Sequence, residues 1–394
     1  MASSSSREVV LIIGAGLGGL ALAQLLRQSS SSIEVMIFER DQNEYSRDQG
    51  YCIGIDSMGL KVLNKIHALN DLLDDQSDGH YNLNYFRLVN RSLGNLVDFN
   101  AKGSKLIYRE DLRRALLTNL DIQWNKKFLY YKIHDGSVEA HFSDGTSVHG
   151  TILIGCDGAK SLVREQLIPN FERNNLGLVN IGGTIEQDDR LTRIQQLTEN
   201  SLVRIFGREG HSLLLLPFRQ SLIWALSWPE PTERLEYSSS LLIEKATQHF
   251  DHEEVIRLIE RTSSTHFIGP FRLFSSAILT KNPFPNNLRV ILLGDAAHPM
   301  TTHAGKGANT AFADADDLAQ ILIEPTKINL AKYEETMFQR GFAAVKVSLA
   351  STKMIHSTGL KGQVRDTIFV IMHYIFLVVG WIQRPFNLLF NKHD

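Results

Sequence analysis

The segment "VVLII" (9–13) is an unbroken apolar run, the pattern of a strand buried on both faces. Glycines at 14, 16 and 19 come next, then "LALAQLLRQ" with apolar positions at helical spacing, then a second apolar strand, "IEVMIFER" (33–40). Strand, glycine turn, helix, strand is a βαβ unit and predicts a parallel sheet. The same texture returns at "RVILL" (289–293), followed by the Gly-punctuated "GDAAHPMTTHAGKGAN" (294–309) and a helical run, "TAFADADDLAQIL". Between them, "LIYREDLRRALLTNL" (106–120) predicts a helix with Leu112, Leu116, Leu117 and Leu120 on one side. "YYKIH" and "VEAHF", joined at Asp135-Gly136, and a second turn at Asp144-Gly145 predict a β-meander feeding the strand "TILIG". From about 176 to 275 the texture changes to short strands, "LVNIGGTIEQ", "SLVRIFG", "HSLLLLPF" and "SLIWALSWP", with a helical stretch over 240–262. The strand-like 83–100 is expected to join this sheet-rich insertion. Two helices, about 327–358 and 363–383, close the chain.

The first glycines carry specific chemistry. Gly14, Gly16 and Gly19 form G-x-G-x-x-G, and Glu39 ends the second strand twenty residues after Gly19. Gly14 permits the tight turn, Gly16 lets backbone amides approach a pyrophosphate, and Gly19 allows close helix–strand packing. The pyrophosphate then lies at a helix N-terminus, where free N–H groups and the dipole favour an anion. Glu39 is placed to accept from ribose hydroxyls, and an acid there favours FAD or NAD over NADP.

Bulk properties narrow the class. The 394 residues carry a net charge of −2, so neither nucleic acid nor a strongly acidic partner is expected. Cys52 and Cys156 are the only cysteines. Two in so long a chain make no disulfide framework, which points to a reducing, intracellular setting, cytoplasmic or on a membrane facing the cytoplasm. No metal-ligating cluster and no nucleophile–base–acid triad stands out.

Three ordered motifs, the glycine turn with Glu39, "CDGAKSLVR" (156–164) and "GDAAHPM…GKGAN" (294–309), resemble the signatures of class A flavoprotein monooxygenases. These are the para-hydroxybenzoate hydroxylase-like enzymes, including the tetracycline-inactivating type, and the match spans 9 to about 322. The resemblance implies an α/β fold: a Rossmann-like FAD-binding domain of the para-hydroxybenzoate hydroxylase type, with an inserted β-sheet-rich substrate domain and C-terminal helices. The FAD-binding parts are then 1–82, 101–175 and 276–325, the substrate-binding parts 83–100 and 176–275, and the closing helices 326–394.

Roles follow from the same resemblance. Asp295, after Gly294, holds the FAD ribityl chain. The backbone at Gly305, Gly307, Ala308 and Asn309 faces the flavin N1–C2=O edge. Arg109 and Arg40 contact FAD, and Arg47 with the "DQGYCIGI" segment lies beside the flavin. Asp157-Gly158 serves FAD and pyridine nucleotide, and Arg164 either supports that loop or is a structural ion pair. NADH or NADPH reduces the flavin as a transient co-substrate. O2 adds at C4a, and the hydroperoxide hydroxylates a small aromatic or polycyclic substrate. A flavoprotein oxidase or dehydrogenase on the same fold, and a non-catalytic flavin-binding redox partner, are the alternatives.

The loop departs from the family at Thr302, where Pro is common, and at Lys306, where Gln is common; His303 lies between. These side chains are expected to border the space before the flavin, with Lys306 pairing an anionic substrate or facing solvent. Trp224 is a candidate cavity wall or plain core. At the end of the chain, "TIFVIMHYIFLVVGWI" (367–382) has no formal charge other than on a protonated His373. It is shorter than the ~20 residues of a membrane-spanning helix. The segment 367–390 is therefore expected either to associate with a membrane or to pack as a helix on the FAD domain.

Overall fold

The computed structural model describes residues 8–29, 33–46, 51–74, 76–186, 190–232, 237–285, 289–324 and 329–390, leaving aside the side chains of 264 and 378–390. In chain order the elements are β1 (Val9–Ile13), α1 (Leu17–Gln28), β2 (Glu34–Phe38), β3 (Cys52–Ile55), α2 (Ser57–Leu63), α3 (Asn70–Leu73), β4 (His80–Asn90) and β5 (Asn95–Tyr108). There follow α4 (Arg109–Leu117), β6 (Ile122–Gln123), β7 (Phe128–His134), β8 (Ser137–Phe142), β9 (Ser147–Gly150), β10 (Ile152–Gly155), α5 (Leu162–Leu167), β11 (Arg173–Glu186) and α6 (Thr192–Thr198). The remainder are β12 (Ser201–Phe206), β13 (Ser212–Phe218), β14 (Ser221–Pro229), α7 (Ser239–His249), α8 (Glu253–Glu260), β15 (Phe267–Ser276), β16 (Val290–Leu292), α9 (Gly307–Ile323), α10 (Leu330–Ile355) and α11 (Gly359–Phe390).

The chain divides into two units. The first comprises Met1–Tyr81, Ser104–Leu176 and Phe274–Thr352. Its sheet runs β16-β10-β1-β2-β6, every pair parallel. β10 and β16 are buried throughout and β1 nearly so, which is why each reads as an apolar run without alternation. The register sets Ile13 beside both Gly155 and Phe38, and Gly155 beside Leu292. The three loops that follow β1, β10 and β16 therefore leave the sheet together at its carboxyl edge, where open α/β sheets bind ligands. The predicted helix over 106–120 begins only at Arg109. Leu106 and Ile107 are buried as the end of β5, with Ile107 paired to Ile53 of β3. The meander β7-β8-β9 turns at Gly136 and Gly145, whose φ values of 78° and 83° suit glycine. α10 belongs to this unit: Tyr333 is buried in its core and donates to the Leu292 carbonyl at 3.0 Å.

The second unit comprises Asn82–Gly103, Gly177–Leu273 and Lys353–Asp394. Its strands run β15-β11-β14-β13-β12-β4-β5; β11-β14, β14-β13 and β13-β12 pair antiparallel, and β12-β4 pair parallel. One face carries α6, α7 and α8 over a core of Val203, Ile205, Leu213, Leu215, Trp224 and Trp228. The single helical stretch read over 240–262 is two helices, divided where His252 caps the Glu254 N–H. α6 escaped the sequence reading because its seven residues cover only two helical turns.

The other face is packed by Ile355 and by Phe369 of α11, against Leu88, Leu96, Val97 and Phe206. The reading that packed the C-terminal helix on the FAD domain is therefore corrected: its buried face rests on the second unit's sheet. Val364, Ile368, Ile371 and Ile375 of the same helix are exposed. Among the described residues no helix is long and apolar enough to cross a membrane. The expectation of membrane attachment thus gains no support, and the side chains of its last part, 378–390, lie outside the described residues.

Candidate cofactor site

The glycine turn is built as a cradle. Gly14 has φ +110°, donates to the Phe38 carbonyl at 2.8 Å, and would drive a Cβ into the Cys156 carbonyl. Gly19 sits directly against the Gly14 carbonyl, so any side chain there separates α1 from β1. At Gly16 an added Cβ would meet nothing within 4 Å. Gly16 is also the N-cap of α1 and offers no side-chain cap, leaving the helix's first N–H groups free for an anion. Glu39 is buried; Oε2 accepts from the Ala15 N–H at 2.8 Å and Oε1 from the Asp41 N–H at 3.1 Å. It pins the turn and retains lone pairs for a ribose hydroxyl. Arg40 is exposed, and Arg47 lies outside the described residues.

After β10, Asp157 caps α5: Oδ2 accepts from the N–H groups of Leu162 at 2.8 Å and Val163 at 3.3 Å. Its Oδ1 is buried with no partner, as is Nη1 of Arg109. Burial pushes the Asp157 carboxyl up, against those hydrogen bonds. Gly158, at φ +81°, faces open space. Arg164 is 2 % exposed and spends its guanidinium on carbonyl groups. It donates from Nη1 to the carbonyls of Asp295 at 3.2 Å and Ala296 at 2.8 Å, and from Nη2 to Ala159 at 2.7 Å. The guanidinium ties the loop after β10 to the loop after β16.

In that last loop Gly294 has φ +62°, and its N–H donates to Oδ2 of Asp314 at 3.1 Å. Asp314 is fully buried, holds His298 Nε2 at 2.6 Å and accepts from Nη2 of Arg340 at 2.7 Å. Burial pulls His298 down, but the Asp314 carboxylate beside it outweighs burial and raises it. Asp295 differs: its side chain reaches solvent. The protein crowded around it still pushes its carboxyl up, while His298, Arg109 and Arg164 pull it down. A carboxylate accessible from one side and ringed by cations is a receptor for hydroxyl donors. Gly305 takes φ +62° with open space around it, and Gly307 begins α9, which has no side-chain cap and no acid in its first turn. Ala308 is half-buried beside them. Asn309 is 1 % exposed, and its side chain is spent on the neighbouring backbone. Its Nδ2 donates to Gly54 at 3.0 Å and Gly305 at 2.9 Å, while Oδ1 accepts from the Asp56 N–H at 3.0 Å. It locks the helix start to β3.

The unusual letters of the loop divide. Thr302 is exposed. His303 Nδ1 lies 2.9 Å from Thr352 Oγ1 of α10. Lys306, expected to pair an anionic substrate or face solvent, is partly exposed, and its Nζ pairs with Asp56 Oδ2 at 2.9 Å. Trp224 is not a cavity wall. It is fully buried in the second unit's core, and its indole N–H donates to Thr262 Oγ1 at 2.9 Å. Sequence reasoning missed Asp314, His298 and Arg340. His298 was visible in "GDAAHP", but its partners come from α9 and α10.

The two orphaned buried atoms, the open space at Gly16, Gly158 and Gly305, and the two uncapped helix starts fit an FAD molecule: anion cradle, ribose acid, ribityl acid and flavin-edge amides. Comparisons with known proteins agree. A family model for an FAD binding domain matches residues 7–345. The FAD-dependent monooxygenase thnD of Trichoderma harzianum is 28% identical over 388 residues, covering 86% of this chain and 91% of that protein. A putative FAD-containing monooxygenase from Photorhabdus luminescens superposes with a TM-score of 0.75 at 27% identity, over 89% of this chain and 98% of that one. Klebsiella pneumoniae HpxO, solved with FAD and uric acid, superposes with a TM-score of 0.78 at 20% identity, over 95% and 96% of the two chains, and shares the fold.

Proposed function

Since the chain belongs to the class A FAD-dependent flavoprotein monooxygenases, we propose that it uses NADH or NADPH and O2 to hydroxylate a small aromatic or polycyclic substrate. FAD, when bound, supplies the hydride acceptance and oxygen activation; the chain supplies binding, orientation and electrostatics. The N-terminus of α1 takes the pyrophosphate, and Glu39 the ribose. Asp157 Oδ1 and Arg109 Nη1, each buried without a partner, close on the cofactor's polar middle. Asp295 accepts from the ribityl chain. The amides at Gly305, Gly307 and Ala308 face the flavin's pyrimidine edge, where reduction places negative charge that N–H dipoles stabilise. The arrival of Asp157 and Asp295 at the edge where three parallel strands end, with Arg109 in electrostatic reach of Asp295, carries this reading.

The purified protein is expected to be yellow. Anaerobic NADH or NADPH should bleach it, faster in the presence of a substrate. Bleaching by an organic substrate and by neither nucleotide would establish the oxidase alternative instead. Asp295→Ala removes charge-assisted hydrogen bonds worth ~1.5–3 kcal/mol and should weaken FAD binding roughly 10- to 100-fold. Unchanged retention of FAD in that variant would disprove the ribityl role.

A further inference from the structure

Tyr51 stands one residue before β3, and the β3–β5 ladder decides what it meets. Cys52 pairs with Tyr108 in antiparallel register, and one step beyond, the Arg109 N–H donates to the Tyr51 carbonyl at 3.0 Å. The ladder thus ends with Tyr51 and Arg109 side by side, where β5 gives way to α4. The Tyr51 ring lies against the Arg109 guanidinium, whose central carbon is 5.6 Å from the ring centroid. That is inside the ~6 Å reach of a cation–π contact.

Two other arginines of this unit give their guanidinium groups to the protein. Arg164 donates to three carbonyls, and Arg113 to those of Ala15 and Glu44. Arg109 differs, because its Nη1 is buried with no acceptor. An aromatic face attracts the cation but takes none of its in-plane N–H groups, so Nη1 stays available to an incoming oxygen. Tyr51 itself is 39 % exposed. Burial still pushes its phenol up; Arg109 opposes this and Asp295 adds to it, so the side chain stands in the field of both. A ring that touches both water and the guanidinium screens that cation from solvent. A donor kept dry and unpaired meets an oxygen without first giving up a water, and in a low local dielectric.

We propose that Tyr51 is a positioning residue for FAD: its ring holds and dehydrates the Arg109 guanidinium so that Nη1 meets an oxygen of the cofactor. This rests on the FAD-site reading and adds to it a residue outside the three motifs. The role belongs to the ring and not to the hydroxyl. Phe can therefore fill it, whereas Leu covers area without the ring quadrupole that attracts a cation, and Ala does neither.

The test is a double-mutant cycle on the full-length holoprotein, read as FAD dissociation by flavin fluorescence on dilution. Tyr51→Phe should hold FAD within about twofold of the wild type, and Tyr51→Ala should lose about tenfold. Arg109→Gln should lose at least as much. Adding Tyr51→Ala to Arg109→Gln should cost no more than about twofold further, because residues that act through one contact are not additive. Should Arg109→Gln fail to fold, Tyr51→Leu must still hold FAD several-fold more weakly than Tyr51→Phe. Losses that multiply in the double variant would show that Tyr51 acts without the guanidinium and would overturn the role. So would wild-type affinity in Tyr51→Ala, or a Tyr51→Phe variant as weak as Tyr51→Ala. FAD dissociation involves neither nicotinamide nor O2. A protein that holds FAD but is bleached by neither NADH nor NADPH would therefore sink the hydroxylase reading, while the cycle still judges Tyr51.

Discussion

Lys306 and Asp314 both lie near the flavin loop, and their energetics differ by an order of magnitude. The Lys306–Asp56 pair is 41% and 28% exposed, so solvent screens it and a contribution of about 0–1 kcal/mol is expected. Lys306→Gln should shift the denaturant midpoint little. Asp314 is fully buried between His298, Arg340 and the Gly294 N–H. Asp314→Asn leaves the Arg340 guanidinium and the His298 ring facing a neutral amide in a dry site, and should cost ~3–5 kcal/mol in urea unfolding. A cost under about 1 kcal/mol would show that water reaches the network. Glu39 could be found in the sequence because spacing from a glycine turn fixes it. Asp314 could not: its partners lie 20, 16 and 26 residues away, and "ADADD" reads as surface charge.

At the level of elements, periodicity located β1, α1, β2, β10, β16 and α9, because burial on both faces or one helical stripe leaves a plain pattern. It could not show what α10 does. Four contacts bring that helix down on the strand end and loop around Asp295: Tyr333 to the Leu292 carbonyl, Arg340 to Asp314, and Thr352 to both Thr301 and His303. Gly341 lies directly against the His298 ring and leaves no room for a Cβ. α10 thus fixes the loop that presents Asp295. Arg340→Gln should lower FAD affinity about tenfold or more, with Arg340→Lys intermediate, as read by flavin fluorescence on dilution. Equal retention in both variants would confine Arg340 to fold stability. For α1, Gly19→Ala should abolish FAD retention, since the added methyl must push the helix away from the Gly14 carbonyl.

Across the whole molecule, the two units carry titratable groups of opposite sign. In the second unit, burial holds His211 down to about 3, helped by His249 and Lys245, and His356 down to about 4, helped by Arg204 and Arg365. Unfolded, each titrates near 6.5, so below that pH the unfolded chain binds protons the folded unit refuses, and stability falls with acid. In the first unit, burial raises Glu334 to about 7 and Asp314 raises His298. Both bind protons more readily folded than unfolded, so acid favours that unit between about 7 and the unfolded Glu value of 4.5. Each uncompensated proton is worth about 1.4 kcal/mol per pH unit. The division at Lys353 assigns α10 up to Thr352 to the first unit and its last turn to the second. No break in helical periodicity marks that point, so the sequence showed 326–394 as one closing block. Calorimetric scans at pH 7.5 and 5.5 should show two transitions moving apart: one lower on acidification, by less in His356→Gln, where His211 alone of the two remains, and one higher, flattened in Glu334→Gln. Transitions that move together, with neither variant changing the slope, would show that the buried histidines and Glu334 titrate alike in the folded and unfolded chain.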